Sequence, residues 1–143
     1  MYTTTNTGPY SDTHYNIVSY NILSSKLGNS KRFPTCIPAD LNWETRRIRI
    51  MNKLQAHIEK QAIICLQEVS RQAIGEFTSF FAQNDYTFIT STYGNHFNDY
   101  MGNAIAYPLS KLQLMDCEIK RVSDGLGFEH RPDNMSLYDH VMN

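Results

Sequence analysis

The most constraining feature of this sequence is an uninterrupted apolar run, AIICL at residues 62–66, followed at once by QEV at residues 67–69. A short run of this kind predicts a strand with apolar side chains on both faces, as in a sheet covered by helices or by a second sheet. The run is far below the roughly 18 residues that a membrane-spanning helix needs. The sequence therefore predicts a buried sheet and no membrane-spanning segment.

The segments around this run alternate between strand and helix patterns. The sequence predicts a central strand at 15–23, a loop at 24–41, a helix from the N-cap Asn42 to about Lys60, and a second helix at 75–84. It predicts further strands at 86–92, 103–107 and 112–122. This order of elements indicates the α/β (α+β) class.

The length of 143 residues suits one folding unit. We predict a polar N-terminal tail at 1–14, a domain at 15–124 and an irregular C-terminal tail at 125–143. The start of the chain lacks the basic and apolar regions of a secretory signal, which predicts an intracellular location, cytoplasmic or nuclear. Three widely spaced cysteines (Cys36, Cys65 and Cys117) indicate reduced thiols rather than a disulfide framework or a zinc site.

Charge is unevenly distributed along the chain. Residues 21–60 hold eight Lys and Arg against three Asp and Glu, whereas residues 61–143 hold five against ten. An anionic partner such as nucleic acid could bind the first part, but a solvated helix face gives the same count. The charge pattern permits nucleic-acid binding without requiring it.

Two polar side chains are expected at the ends of buried strands. Glu68 follows the apolar run, where an unpaired carboxylate would cost several kcal/mol. Asn21 lies near the end of the first strand, and a connecting helix would bring both to one edge of the sheet. Their oxygens suit Mg²⁺ rather than Zn²⁺. The alternatives are that a Lys or Arg pairs with Glu68, that Glu68 is solvated, and that Asn21 only satisfies nearby backbone groups.

Several strings together carry a family resemblance. The first part of the chain contributes YNIL at 20–23, Cys36 and Pro38, LNWETRR at 41–47 and AIICLQEV at 62–69. The later part contributes Tyr93-Gly94, MGNAIAYP at 101–108 and residues 111–114. In order and spacing they resemble the endonuclease/exonuclease/phosphatase superfamily, and in particular its branch of carbon-catabolite-repressor and nocturnin-type deadenylases. The resemblance covers about residues 15–124.

The resemblance implies a fold, an activity and a site. The superfamily fold is a four-layer α-β-β-α sandwich, of which this chain resembles the first part. The implied activity is Mg²⁺- or Mn²⁺-dependent phosphodiester hydrolysis of RNA from the 3′ end, including poly(A). The metal-site asparagine and glutamate of the family correspond to Asn21 and Glu68, which are the predicted catalytic and metal-binding residues.

Two later motifs of the family, Asp-x-Asn and Ser-Asp-His, do not occur downstream of the matched segments, after residue 114. Asp133-Asn134 and Asp139-His140 resemble them only in part, and we assign them no catalytic role. Because groups that act in the transition state can each contribute orders of magnitude in rate, we expect little or no turnover from these 143 residues alone.

Two alternatives stay open. The chain could be an inactive fragment that acts as a protein-interaction module, since an exposed sheet face would invite self-association or the docking of a missing C-terminal part. It could also be a phosphatase or DNA nuclease of the same superfamily, acting on a sugar phosphate, a lipid phosphate or DNA.

Overall fold

The computed structural model describes residues 14–93 and 96–120. They form a four-stranded sheet with helices between its strands. In chain order the elements are β1 (Ile17–Asn21), α1 (Pro38–Leu41), α2 (Trp43–Ile58), β2 (Ile63–Val69), α3 (Arg71–Ala82), β3 (Tyr86–Thr90), a 3-10 turn (His96–Asn98) and β4 (Gly102–Pro108). The predicted mixed α/β class is confirmed.

The strands lie in the order β1-β2-β4-β3. β1 and β2 are parallel with Asn21 opposite Gln67, and β4 pairs antiparallel with both β2 and β3. The C-terminal ends of β1 and β2 and the start of β4 therefore meet at one end of the sheet. We call this the site end.

The helix α2 begins as the sequence predicts. The side chain of Asn42 accepts hydrogen bonds from the backbone N–H groups of Glu44 and Thr45, which otherwise have no partner in the first helical turn. The buried stripe of the helix contains Trp43, Ile50, Leu54 and Ile58. These residues join the main core.

The core lies on one face of the sheet, which we call the covered face. Ile64 and Leu66 of β2 point into it, and Phe77 and Phe81 of α3 are fully buried against them. The rings of Phe81 and Phe88 of β3 stack with centroids 5.2 Å apart. The core thus combines the helices α2 and α3 with alternate residues of the strands.

The other face, the open face, is only partly covered. Ile17 is 69% exposed and Ile105 is 49% exposed, while Cys65 is half-buried. Two predictions are therefore wrong in the described structure. β1 is an edge strand rather than a central one, and β2 is fully buried on one face rather than on both.

Other differences concern element bounds. The predicted loop at 24–41 ends in the short helix α1, and α3 begins at Arg71, four residues before the predicted start at Gly75. Residues 112–120 form no strand, contrary to prediction. Instead, residues between Leu114 and Lys120 line a groove with Ile89 and Ile105 on the open face.

In the ranges 14–93 and 96–120, none of the helices has the length and apolar character needed to cross a bilayer. The predicted tails fall outside these ranges, apart from His14. The boundaries at 14 and 124 therefore stay predictions, as does the intracellular location.

Candidate functional site

A β-bulge near the end of β2 determines where Glu68 points. The register with β4 shifts between Leu66 and Val69, so that Gln67 and Glu68 together lie opposite Asn103. Strict alternation would place Glu68 on the covered face with Ile64 and Leu66, inside the core. The bulge gives that position to Val69, which is fully buried, and turns Glu68 toward β1.

Glu68 is held by the end of β1. Its Oε1 accepts a hydrogen bond from Asn21 Nδ2 at 2.8 Å, and its Oε2 accepts one from the backbone N–H of Ser24 at 3.2 Å. The side chain is half-buried. The structure therefore brings Asn21 and Glu68 together at the site end, as the sequence predicts, although they are 47 residues apart.

The backbone at this point is strained on both strands. Leu23 has φ of 56° and Glu68 has φ of 59°, in the left-handed region that costs a non-glycine residue roughly 1–3 kcal/mol. The Oδ1 atom of Asn21 accepts a hydrogen bond from Leu23 N–H at 2.9 Å, which fixes the turn after β1. The Nδ2 donor and the Oδ1 acceptor of the Asn21 side-chain amide are thus both used to shape the site.

Arg46 of α2 supports the same turn from within the protein. Its Nη2 donates to the carbonyl oxygens of Ile22, at 2.7 Å, and of Leu23. Burial lowers the pKa of the Arg46 guanidinium, while electrostatic interactions with Tyr20 and Glu68 oppose this change. Arg46 thus places a positive charge near Glu68 and fixes the chain that carries Asn21.

Gly28 is required for the placement of Arg46. A Cβ atom at Gly28 would lie 2.5 Å from Arg46 Nη1. Because the guanidinium is anchored on two carbonyl oxygens, it cannot easily move away. The loop after β1 and the first turns of α2 are therefore packed together closely.

A third segment closes the site from the side of β4. The hydroxyl of the buried Ser24 donates to the carbonyl oxygen of Asn98 at 2.8 Å. Asp99 Oδ2 accepts the backbone N–H of Gln72 at 2.8 Å, so that a distant carboxylate caps α3. These contacts tie residues 98–99 to both the β1 turn and the helix that follows Glu68.

The carboxylate of Glu68 keeps free lone pairs. An ionised carboxylate has about four acceptor positions, and Asn21 and Ser24 use two of them. Mg²⁺ binds in proteins through as few as one or two carboxylates, with waters and substrate phosphates completing its shell. In the described part of the chain there is no group of three or more His, Cys, Asp or Glu side chains suited to a metal. Glu68 fits the role of a single carboxylate ligand.

Several site features were not predicted from the sequence. Arg46 could have been found, because helical spacing places it with Trp43 and Ile50 on the buried stripe of α2, where a charged residue needs an explanation. Nothing in the local sequence indicates that the N–H of Ser24 binds Glu68 or that Asp99 caps α3. Asp133-Asn134 and Asp139-His140 lie outside the described residues.

Comparison with curated proteins relates this chain to an RNA-degrading enzyme. It is 35% identical over 71 residues to the CCR4-Not complex 3′-5′-exoribonuclease subunit Ccr4 of Aspergillus fumigatus, and equally to that of Neosartorya fischeri. The chain is partially homologous to Ccr4 exoribonucleases. The match spans 49% of this chain but only 10% and 9% of those proteins. No family model matches the chain.

Solved structures support the same relationship. A crystal structure of ANGEL2, a 2′,3′-cyclic phosphatase, in complex with adenosine-2′,3′-vanadate matches 69% of this chain with a TM-score of 0.60 and 29% identity. The match covers 29% of ANGEL2, and a second ANGEL2 structure gives 28%. The resemblance to the endonuclease/exonuclease/phosphatase superfamily is thus confirmed over part of the chain, as is a partial fold of that type. These similar proteins are hydrolytic enzymes.

Proposed function

We propose that this chain carries the metal-anchoring part of a phosphodiesterase site that hydrolyses RNA from its 3′ end. The observation that supports this most directly is the placement of the Glu68 carboxylate, which the bulge turns out of the core. Asn21 and Ser24 hold this carboxylate by hydrogen bonds, and it still has free acceptor positions. The similarity to Ccr4 exoribonucleases supports RNA as the substrate. Because the chain spans about a tenth of those proteins, the complete reaction is part of the proposal.

Each residue has a separate role in this proposal. Glu68 binds Mg²⁺ or Mn²⁺ directly, and Asn21 orients the Glu68 carboxylate and belongs to the same metal site. Arg46 and Ser24 keep the turn after β1 in place. When bound, the cation would polarise the scissile phosphate and stabilise the charge that develops as water attacks phosphorus.

A second substrate of the same site is a terminal 2′,3′-cyclic phosphate. The structural similarity to ANGEL2, which is a 2′,3′-cyclic phosphatase, favours this alternative. Both reactions cleave a phosphodiester bond, so the role of Glu68 is the same in each. They differ in whether the nucleotide chain becomes shorter.

The first test is metal binding by the full chain of 143 residues. Mn²⁺ binding is followed by water-proton relaxation, which needs no turnover. We expect weak binding that Glu68→Gln abolishes, because the substitution removes the charge while keeping the shape. Glu59→Gln is the matched control, since Glu59 is an exposed carboxylate at the other end of the sheet and should bind no metal.

The second test measures cleavage of two RNA substrates, a 5′-labelled oligoadenylate and the same oligomer ending in a 2′,3′-cyclic phosphate. We expect slow shortening of the first in Mg²⁺, reduced at least about 100-fold by Glu68→Gln. Opening of the cyclic phosphate without shortening would favour the alternative reaction. Equal Mn²⁺ binding by the parent chain and Glu68→Gln would contradict the proposed metal site and leave the interaction module as the better interpretation.

A further inference from the structure

Residues 26–32, here called the basic loop, concentrate positive charge next to the site end. The loop carries Lys26, Lys31 and Arg32, and no Asp or Glu occurs anywhere between Asn21 and Asp40. All three cationic side chains belong to exposed residues. The sequence predicts a loop at 24–41, and the structure confirms that residues 26–32 lie in a loop rather than on a helix.

The side chain of Asn29 holds the basic loop together. Its Nδ2 donates to the carbonyl oxygen of Lys26 at 3.2 Å, and its Oδ1 accepts the backbone N–H of Arg32 at 3.2 Å. The backbone N–H of Arg32 also donates to the carbonyl oxygen of Asn29 at 3.1 Å. Asn29 thus connects both ends of the loop, and the three cations are presented from one compact turn.

The basic loop is anchored directly to the candidate site. It starts two residues after Ser24, whose N–H is bound by Glu68. The ammonium group of Lys26 donates to the carbonyl oxygen of His96 at 3.1 Å, which leaves two of its three N–H donors for another acceptor. The loop therefore borders the point where a scissile phosphate would bind.

The charges of the loop are not neutralised within the described structure. Arg47 pairs with Glu44 and Glu76, and Arg49 pairs with Asp40, so those cations of α2 have acidic partners. Among residues 14–93 and 96–120, by contrast, no ion pair involves a side chain of the basic loop. A local excess of positive charge remains beside Glu68.

We propose that the basic loop binds the sugar-phosphate backbone of a single-stranded RNA next to the metal site proposed at Glu68 and Asn21. This inference rests on the proposed function, because a phosphodiester bound at the site end has further phosphates along the same strand. Lys and Arg contacts to phosphate position a strand without reading its bases. Binding through the loop therefore depends strongly on salt and little on base sequence.

The test measures binding of fluorescent ten-nucleotide RNAs, A-rich and U-rich, to the full chain at several salt concentrations. Glu68→Gln serves as the parent so that cleavage does not interfere. The test variant adds Lys31→Ala and Arg32→Ala. The control variant adds Lys60→Ala and Lys111→Ala, two cations at the opposite end of the sheet, where Gln61 and Ser110 are hydrogen-bonded.

The expected result is that the loop variant binds both RNAs roughly tenfold more weakly at low salt, while the control matches the parent. The slope of log affinity against log salt should become less negative by about 1.4, because each phosphate contact to a single strand contributes about 0.7. Asn29→Ala, which releases the loop but removes no charge, should also weaken binding.

Two results would overturn this inference. The first is an unchanged affinity and salt slope in the loop variant. The second is equal binding of polyglutamate, which would make the loop a general anion surface. Failure of the proposed function is distinguishable, since Mn²⁺ binding depends on Glu68 and not on the loop. RNA binding through the loop without any metal binding at Glu68 would refute the metal site but still support RNA binding by the basic loop.

Discussion

The covered and open faces of the sheet use similar residues but differ in burial. On β2, Ile64 and Leu66 are 0% and 1% exposed, while Ile63 and Cys65, which alternate with them, are only half-buried. On β4, Ala104 and Ala106 are buried and Ile105 between them is 49% exposed. The apolar character of a strand residue therefore does not determine whether it is buried.

The difference follows from what packs on each face. Aromatic residues of α3 and β3 cover one face with stacked and edge-on rings. The open face is bordered near β3 and β4 by the extended segment that includes Leu114 and Ile119, both of which are themselves exposed. Stability should therefore come almost entirely from the covered face.

The largest expected effect is at Gly102, which begins β4 on the covered side. A Cβ atom there would lie 1.7 Å from the carbonyl oxygen of Ser91, a backbone atom that cannot move without breaking the pairing of β3 with β4. We expect Gly102→Ala to lower the free energy of unfolding by at least about 4 kcal/mol. Urea denaturation followed by circular dichroism measures this change.

Gly75→Ala is the matched control for that substitution. A Cβ atom at Gly75 would meet nothing within 4 Å. Because Ala is preferred to Gly inside a helix, we expect this variant to be more stable by roughly 0.5–1 kcal/mol. Equal destabilisation by both variants would show that the pairing of β3 with β4 is not as described.

A pair of core and surface truncations compares the two faces directly. Phe81→Ala removes a fully buried ring from the covered face and should cost about 3–5 kcal/mol. Ile105→Ala removes a half-exposed side chain from the open face and should cost less than about 1 kcal/mol. Similar costs would mean that the open face is covered in solution, by a second copy or by another part of the protein.

The smallest expected effect is a dependence on alkaline pH. Tyr86 lies on the covered face, its hydroxyl donates to the carbonyl oxygen of Ile58 at 3.4 Å, and burial raises its pKa. The unfolded chain therefore loses this proton first as the pH rises above 10, the ordinary value for tyrosine. Stability should fall above that pH more in the parent than in Tyr86→Phe, as measured by urea midpoints from pH 8 to 11. Parallel curves for the two proteins would refute this role of Tyr86.

The sequence predicted an element well where the element depends on residues close together in the chain. The cap at Asn42 depends on side-chain and backbone groups two and three residues apart, and the helix begins where predicted. The bounds of β2 follow from its apolar run. The prediction of a strand at 112–122 followed from residue types that suit a strand, but residues 112–120 form none, because a strand also needs a pairing partner that residue types do not specify.

The sequence predicted that Asn21 and Glu68 meet at one edge of the sheet, but it did not predict how they are arranged there. Asn21 and Glu68 were identified from strand ends and from the family resemblance. The direction of Glu68 depends on a bulge opposite Asn103, and its partners include the N–H of Ser24, a group every residue but proline possesses. Neither feature has a pattern that a single sequence reveals.

The sequence by itself determined the alternation of strands and helices, the residues at the strand ends and the excess of positive charge between residues 21 and 60. These depend on side-chain chemistry and short-range spacing. The tertiary structure decided that β1 is an edge strand, that one face of β2 is open, and that Glu68 leaves the core to meet Asn21. These depend on which distant segments pack together, because burial and hydrogen bonding between strands are properties of the assembled chain.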